Sequence, residues 1–296
     1  MNFTGELFAL LTAIFWTGSS LAFAASSRRI GSIYVNVARL LFASMILGAI
    51  VLLAGLSQSI STRQLLLLIV SGQIGLVFGD TFLFKSYEYQ SARISSLLMS
   101  AAPAMSVALS YWLVGETLSW TALLGIGVTL GGIVLVLLGQ SEHEQSTYPK
   151  SKKGILYALV GALGQAGGLV VAKMAFQESS VNGFFATFLR VSSATIVIVP
   201  LMITAGRISK PVGVFGADQK ALRSTMLGAV FGPILGISCS LFAIEHTSVG
   251  VASTIMATVP LFMLPAVVYL YKEKLSWESI IGAVVAVAGV GMLFIR

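Results

Sequence analysis

The chain has 296 residues, of which 56% are hydrophobic and 10% charged, with a mean hydropathy of +0.93. A water-soluble domain cannot hide that much apolar surface, so the composition excludes a soluble globular protein and points to a bilayer. The formal net charge of +7 arises from 18 basic and 11 acidic residues scattered over short loops, which suits lipid headgroups and membrane orientation rather than nucleic acid. With one cysteine, Cys239, neither an internal disulfide nor a multi-cysteine metal site is available.

In chain order, residues 1–6 lack a basic n-region and the apolar run after them is long for a signal-peptide core, so the first helix is expected to be retained. Apolar runs of about twenty residues, each able to cross a hydrocarbon core about 30 Å thick, predict helices at 6–25, 32–54, 64–85, 92–114 and 118–139. After a polar loop they resume at 154–174, 182–205, 222–243, 249–270 and 276–295. The runs are continuously apolar and do not alternate as barrel strands do. The expected fold is therefore an all-α integral membrane protein of ten transmembrane helices. Its 30 glycines fit this, because small residues let membrane helices pack closely.

The two halves repeat. Glu116-Thr-Leu-Ser-Trp120 recurs as Glu273-Lys-Leu-Ser-Trp277, and the same offset of 157 relates Glu88 to Glu245, Pro103 to Pro260, Gly125 to Gly282 and Gly132 to Gly289. Nearer the start, Arg39 and Gly55 match Arg190 and Gly206 at an offset of 151. This divides the chain into a first five-helix repeat (1–139), a polar connecting loop (140–153) and a second repeat (154–296). An odd number of helices per repeat makes the copies inverted relative to each other. Basic residues agree: 13 fall on the side of the first loop, three on the other, and Arg39 and Arg190 inside the membrane. By the positive-inside rule the richer side is cytoplasmic and both termini face outward.

Gly79-Asp-Thr-Phe-Leu-Phe84, the small-residue stretch Ser95 to Pro103 and Gly115-Glu-Thr-Leu-Ser119, with Thr254 to Pro260 and Glu273-Lys-Leu-Ser276 repeating the last two, resemble the EamA family of the drug/metabolite transporter superfamily. The resemblance spans the whole chain. It implies a ten-helix exporter with a central cavity lined by the first, third and fourth helices of each repeat, the fifth to the side, and alternating access. It also implies cytoplasmic termini, opposite to the charge count.

Arg39 and Arg190 lie well inside predicted helices, where an ionised side chain is costly unless paired or hydrated. Antiparallel neighbours would bring Asp80 to the depth of Arg39, which suggests an Arg39–Asp80 pair that either holds the packing or serves transport. A snorkelling arginine is the simpler alternative. The repeat puts Ile237 where Asp80 stands, so Arg190 has no matching acid and faces either the cavity or Ser238. Asp80 is the acidic residue deep in a predicted helix and so the candidate for proton coupling, although a neighbouring arginine opposes its protonation. Lys173, near the end of its helix, could meet an anionic substrate or snorkel.

Pro103 and Pro260 are expected to kink their helices, either as gates beside a substrate path or as packing bends. Around them cluster Ser95, Ser96, Met99 and Ser100, and Ser253, Thr254, Met256 and Thr258. With Trp16, Gln73, Gln165 and Ser238 they would form a weakly polar, adaptable cavity wall, or serve as helix–helix hydrogen bonds. Glu116 and Glu273 are expected to cap the helices that follow them. Glu88 and Glu245 are taken as structural. Tyr87, Tyr89, Trp112, Trp120, Tyr269, Tyr271 and Trp277 near helix ends suit interfacial anchoring.

No His-Glu metal motif, phosphate-binding glycine loop or aspartate cluster is present, so neither enzyme chemistry nor a cofactor is expected. A carrier fits inverted halves better than a channel does. The reading is a bacterial inner-membrane secondary transporter acting as a monomer, with a small-molecule substrate (amino acids, amines or related compounds), export being what the resemblance implies, and protons as a candidate coupling ion. A nucleotide-sugar or lipid-linked sugar translocator, or a non-transport scaffold, remains as the alternative.

Overall fold

In the computed structural model the described residues are 3–90, 92–138, 151–204, 206, 218–271 and 276–293. They form fourteen α-helices and two π-helical segments, with no strand among them. The first half holds α1 (Thr4–Ile30), α2 (Ser32–Leu53), α3 (Thr62–Gly72), a π-helical segment (Gln73–Gly79), α4 (Asp80–Tyr89), α5 (Ala92–Met99), α6 (Ala102–Val114) and α7 (Trp120–Leu138). The second holds α8 (Lys152–Phe176), α9 (Gly183–Thr204), α10 (Gln219–Ala229), a second π-helical segment (Val230–Gly236), α11 (Ile237–His246), α12 (Val249–Met256), α13 (Val259–Tyr271) and α14 (Trp277–Leu293). From α3 to the start of α7, every first residue recurs 157 positions later.

Taking each π-helical segment together with its flanking helices, six helices are long and apolar enough to cross a membrane: Thr4–Ile30, Ser32–Leu53, Thr62–Tyr89, Lys152–Phe176, Gly183–Thr204 and Gln219–His246. Shorter apolar helices accompany them. Leu53, Met45, Ile196 and Val284 stand exposed on the outer face, as side chains meeting lipid would.

Local chemistry sets the boundaries. Ser61 and Gln64 form a reciprocal capping box at the start of α3. Ser151, Asp218 and Ser248 cap α8, α10 and α12. At the end of α6, Gly115 turns the chain at φ 73°, a left-handed conformation that glycine adopts without strain.

The fourth and ninth predicted helices are not single bent rods. α5 ends at Met99 and α6 begins at Ala102, with Pro103 second in the new helix. α12 ends at Met256 and α13 begins at Val259, with Pro260 second. A proline has no N–H for the carbonyl four residues back and its ring crowds that carbonyl. Four residues before Pro103 and Pro260 are Met99 and Met256, where the first helices stop. The prolines therefore start helices, a position they favour, instead of kinking continuous ones.

Helices of one half pack on those of the other. The α3–π–α4 rod lies on α8, and glycines set the approach: a Cβ on Gly164 would stand 2.5 Å from the Gly79 Cα. The α10–π–α11 rod lies on α1, where Gly228 and Gly232 abut Phe23 and Gly236 abuts Trp16. α2 packs on α9, and α7 packs chiefly on α14. A Cβ on Gly132 would stand 2.3 Å from the Ala286 nitrogen and one on Gly289 2.4 Å from the Thr129 nitrogen. These backbone contacts are the small-residue packing that membrane helices use in place of a hydrophobic drive.

Candidate functional site

A cavity of about 110 Å³ lies at the centre, where α1, α2, α4, α5 and the first π-helical segment meet α8, α11 and α12. By that measure it holds several waters or a small solute. Trp16, Arg39, Asp80, Ser96, Met99, Gln165, Ser253 and Met256 all line it. Ala102 and Val259, first residues after the two helix breaks, line it too, so both breaks open beside this space. Ile237, the repeat counterpart of Asp80, faces it as well.

The polar focus is a network on α2 and α4. Arg39 donates from its terminal nitrogen to Asp80 Oδ2 at 2.5 Å and from Nε to Asn36 Oδ1 at 2.9 Å. Asn36 in turn donates from Nδ2 to Thr81 Oγ1 at 2.9 Å. Asn36 lies three residues before Arg39, so the two share a helix face. The guanidinium carbon sits 4.7 Å from the centre of the Phe84 ring and 5.6 Å from that of Phe23, both cation–π distances. Arg39 is 3% exposed and Asp80 8%. Removing two charges from water is sustained here by pairing, hydrogen bonding and aromatic faces together.

Asn36 and Phe23 are not among the sequence candidates, and Phe84 figures only as the end of the Gly79–Phe84 motif, with no role at the Arg39–Asp80 pair. Tyr87 is a correction: it is not an interfacial anchor but 1% exposed, packed on Phe84 and lining the cavity. Its helix turns it inward, toward the cavity that Ser20 of α1 also lines. Trp112, Trp120 and Trp277 are exposed near helix ends, whereas Tyr89 packs on Tyr157. The side chains of Tyr269 and Tyr271, and Glu273, lie outside the described residues.

Other candidates stand apart from the cavity. The Ser238 hydroxyl lies 2.6 Å from the Ile234 carbonyl and 3.1 Å from Thr187 Oγ1, tying α11 to α9. Lys173 donates to the Ile244 and Thr247 carbonyls at 2.5 and 3.1 Å and pairs with Glu116 at 3.8 Å. It thus closes the C-terminus of α11, where cations are favoured. Glu116 does not cap α7, the helix after it, but accepts from the Val249 N–H at 2.9 Å, at the start of α12 in the other half. Glu88 accepts from the Ser32 N–H at 2.8 Å, and Glu245 from the Ser180 hydroxyl at 2.5 Å. Ser95 bonds Ser86, Thr254 returns to the Gly250 carbonyl of its own helix, and Thr258, in the break after α12, donates to the Ile255 carbonyl.

Gln73 and Arg190 stand at the first π-helical segment but do not line the cavity. Gln73 lies in that segment, and neither its amide nitrogen nor its oxygen has a partner among the described residues. Arg190 is 3% exposed, its Nε and one terminal nitrogen have no partner among the described residues, and its other terminal nitrogen lies 3.2 Å from where a Gly75 Cβ would be. The Asp80 charge acts on it without direct contact.

No group of three or more metal-ligating side chains occurs among the described residues. The family model described as the EamA-like transporter family matches residues 3–138 and 152–295. A relative from Clostridium kluyveri, described as an uncharacterized transporter, is 22% identical over 292 residues, 96% of this chain and 91% of the relative. An uncharacterized transporter of Bacillus subtilis, YdfC, is 26% identical over 268 residues, 87% of this chain and 80% of the relative. A solved crystal structure covers 100% of this chain and 98% of its own at 16% identity with a TM-score of 0.76, a likeness of fold.

Proposed function

Because this chain belongs to the EamA-like transporter family, we propose that it is a secondary carrier moving a small metabolite or drug-like solute by alternating access. It is a multi-pass bacterial membrane protein, and we place it in the inner membrane with ten crossings arranged as two inverted five-helix repeats. The observation that carries this reading is the central cavity, built by helices of both halves and lined by two methionines, aromatics, a few hydroxyls and one ion pair. Weak polarity and adaptable methionine walls suit amino acids, amines and related compounds. A nucleotide sugar would need a wider space than this conformation offers.

The matching recurrence of helix starts at an offset of 157, and the packing of each half on the other, support two repeats that rock about the cavity. One chain completes the cavity, so the carrier works as a monomer. Asp80 is where a proton gradient would be felt. The test is counterflow in proteoliposomes loaded with pools of radiolabelled amino acids and amines, with and without a pH gradient. Exchange above that of empty liposomes supports the carrier. A protein that stays folded and exchanges none of them refutes small-metabolite transport.

A further inference from the structure

Among the described residues deep in the helices, two arginines face one carboxylate. Arg39 holds Asp80, while Arg190, its counterpart in the repeat, is as deeply buried and has no carboxylate in contact. The Asp80 N–H donates to the Gly75 carbonyl, the five-residue bond of a π-helix, so Asp80 stands one turn above Gly75. The Arg190 guanidinium lies against that same Gly75, within the electrostatic reach of Asp80. Asp80 is thus flanked by one arginine in contact and a second about one turn away along its own helix, while only Arg39 lines the cavity.

We propose that the solute carries a carboxylate, which Arg39 binds in place of Asp80 while Asp80 passes to Arg190. This rests on the carrier reading and names its substrate class. Without solute the buried set has one cation in excess, and a monoanion balances it. A carboxylate suits Arg39 because the planar guanidinium, resting beside the packed Phe23 and Phe84 rings and anchored at Nε by Asn36, stands at the cavity wall. The π-helical turn supplies the movement. Such turns carry one residue more than the α-helical ladder, so a change of local register shifts Asp80 relative to Gly75 without unfolding the rod. Ile237 at the equivalent place of the other half makes the device one-sided, so a single anion suffices.

The test uses the full chain in nanodiscs and follows Trp16, which lines the cavity, by fluorescence. Lactate, leucine and benzoate are titrated against their methyl esters and against amines of matching size. The acids are expected to bind about tenfold or more tightly than the esters. Arg190→Gln is expected to weaken the acids about tenfold while leaving the esters unchanged, and Arg190→Lys to recover part of the loss. Esters or amines binding as well as acids would overturn the proposal and leave the carrier standing, and so would a folded Arg190→Gln protein that binds acids normally. Should no compound of any charge bind or exchange across proteoliposomes, both the proposal and the carrier reading fall. The acid and ester comparison needs no variant, so it holds even if Arg190→Gln does not fold.

Discussion

Replacing Asp80 by Asn keeps the shape of the side chain and removes its charge, leaving Arg39 buried at 3% exposure without a counter-ion. Breaking a buried pair by neutralising one partner costs about 3–5 kcal/mol, since the remaining charge is uncompensated. Here Arg39 keeps its bond to Asn36 and its place beside two aromatic rings, the latter contributing up to about 2 kcal/mol when desolvated. Asp80 also borders the cavity, where water can enter. The loss should therefore fall near the lower end, about 3 kcal/mol, roughly a hundredfold in the folding equilibrium. Arg39→Gln should cost less, because a lone carboxylate at the cavity wall can be hydrated or protonated. The double variant should recover at least about 1 kcal/mol relative to the sum of the two. Reversible unfolding of all three in mixed micelles measures this cycle. An Asp80→Asn loss below about 1 kcal/mol, or strict additivity, would show that the pair contributes little and that the buried-charge reasoning is wrong.

Gly132→Leu places a side chain where even a Cβ would lie 2.3 Å from the Ala286 backbone, so α7 and α14 must separate. We expect a loss of at least about 1–3 kcal/mol in the same assay, whereas Gly127→Ala, with open space at its Cβ, should be neutral or slightly stabilising. Pro103→Ala is expected to retain more than about half of transport, because the proline begins a helix at a break that the Ala101 to Leu98 turn also holds. Loss of all transport from a folded variant would instead identify the ring as a gate. Lys173→Met should cost about 1–3 kcal/mol of stability through the orphaned Ile244 and Thr247 carbonyls, and leave solute affinity in the fluorescence titration unchanged. At the surface, the Arg29 guanidinium holds the Asp218 carboxyl below its ordinary value of 3.8. Its folded pKa is depressed, so its contribution is present above about pH 4 and lost as pH falls through the folded value. Asp218→Asn, which keeps a helix-capping side chain, should flatten that acid limb in pH-dependent melting curves, and an unchanged limb would refute the assignment.

Composition pointed to a bilayer, because no soluble core can accommodate this much apolar surface, and the continuous apolar runs, unlike the alternation of barrel strands, made its spans helices. The recurrence of Glu116 as Glu273 and Pro103 as Pro260 exposed the duplicated pattern, since turn and proline chemistry is local and survives in the sequence. Met99 and Met256 could have been recognised as the ends of α5 and α12 by counting four residues back from each proline, although the length of the apolar run disguised the break. Other features depend on which helix stands beside which. Tyr87 near the end of α4 has the sequence environment of an interfacial tyrosine, and only the placement of α1 against it turns it into cavity wall. Lys173 and Glu116 are neighbours only because α8 lies beside the turn after α6, and Glu116 then serves a helix start 133 residues away. Arg39 and Arg190 look equivalent along the chain. The tertiary structure separates them, because Asp80 stands in contact with the Arg39 guanidinium, whereas Arg190 lies against Gly75 with no carboxylate in contact among the described residues.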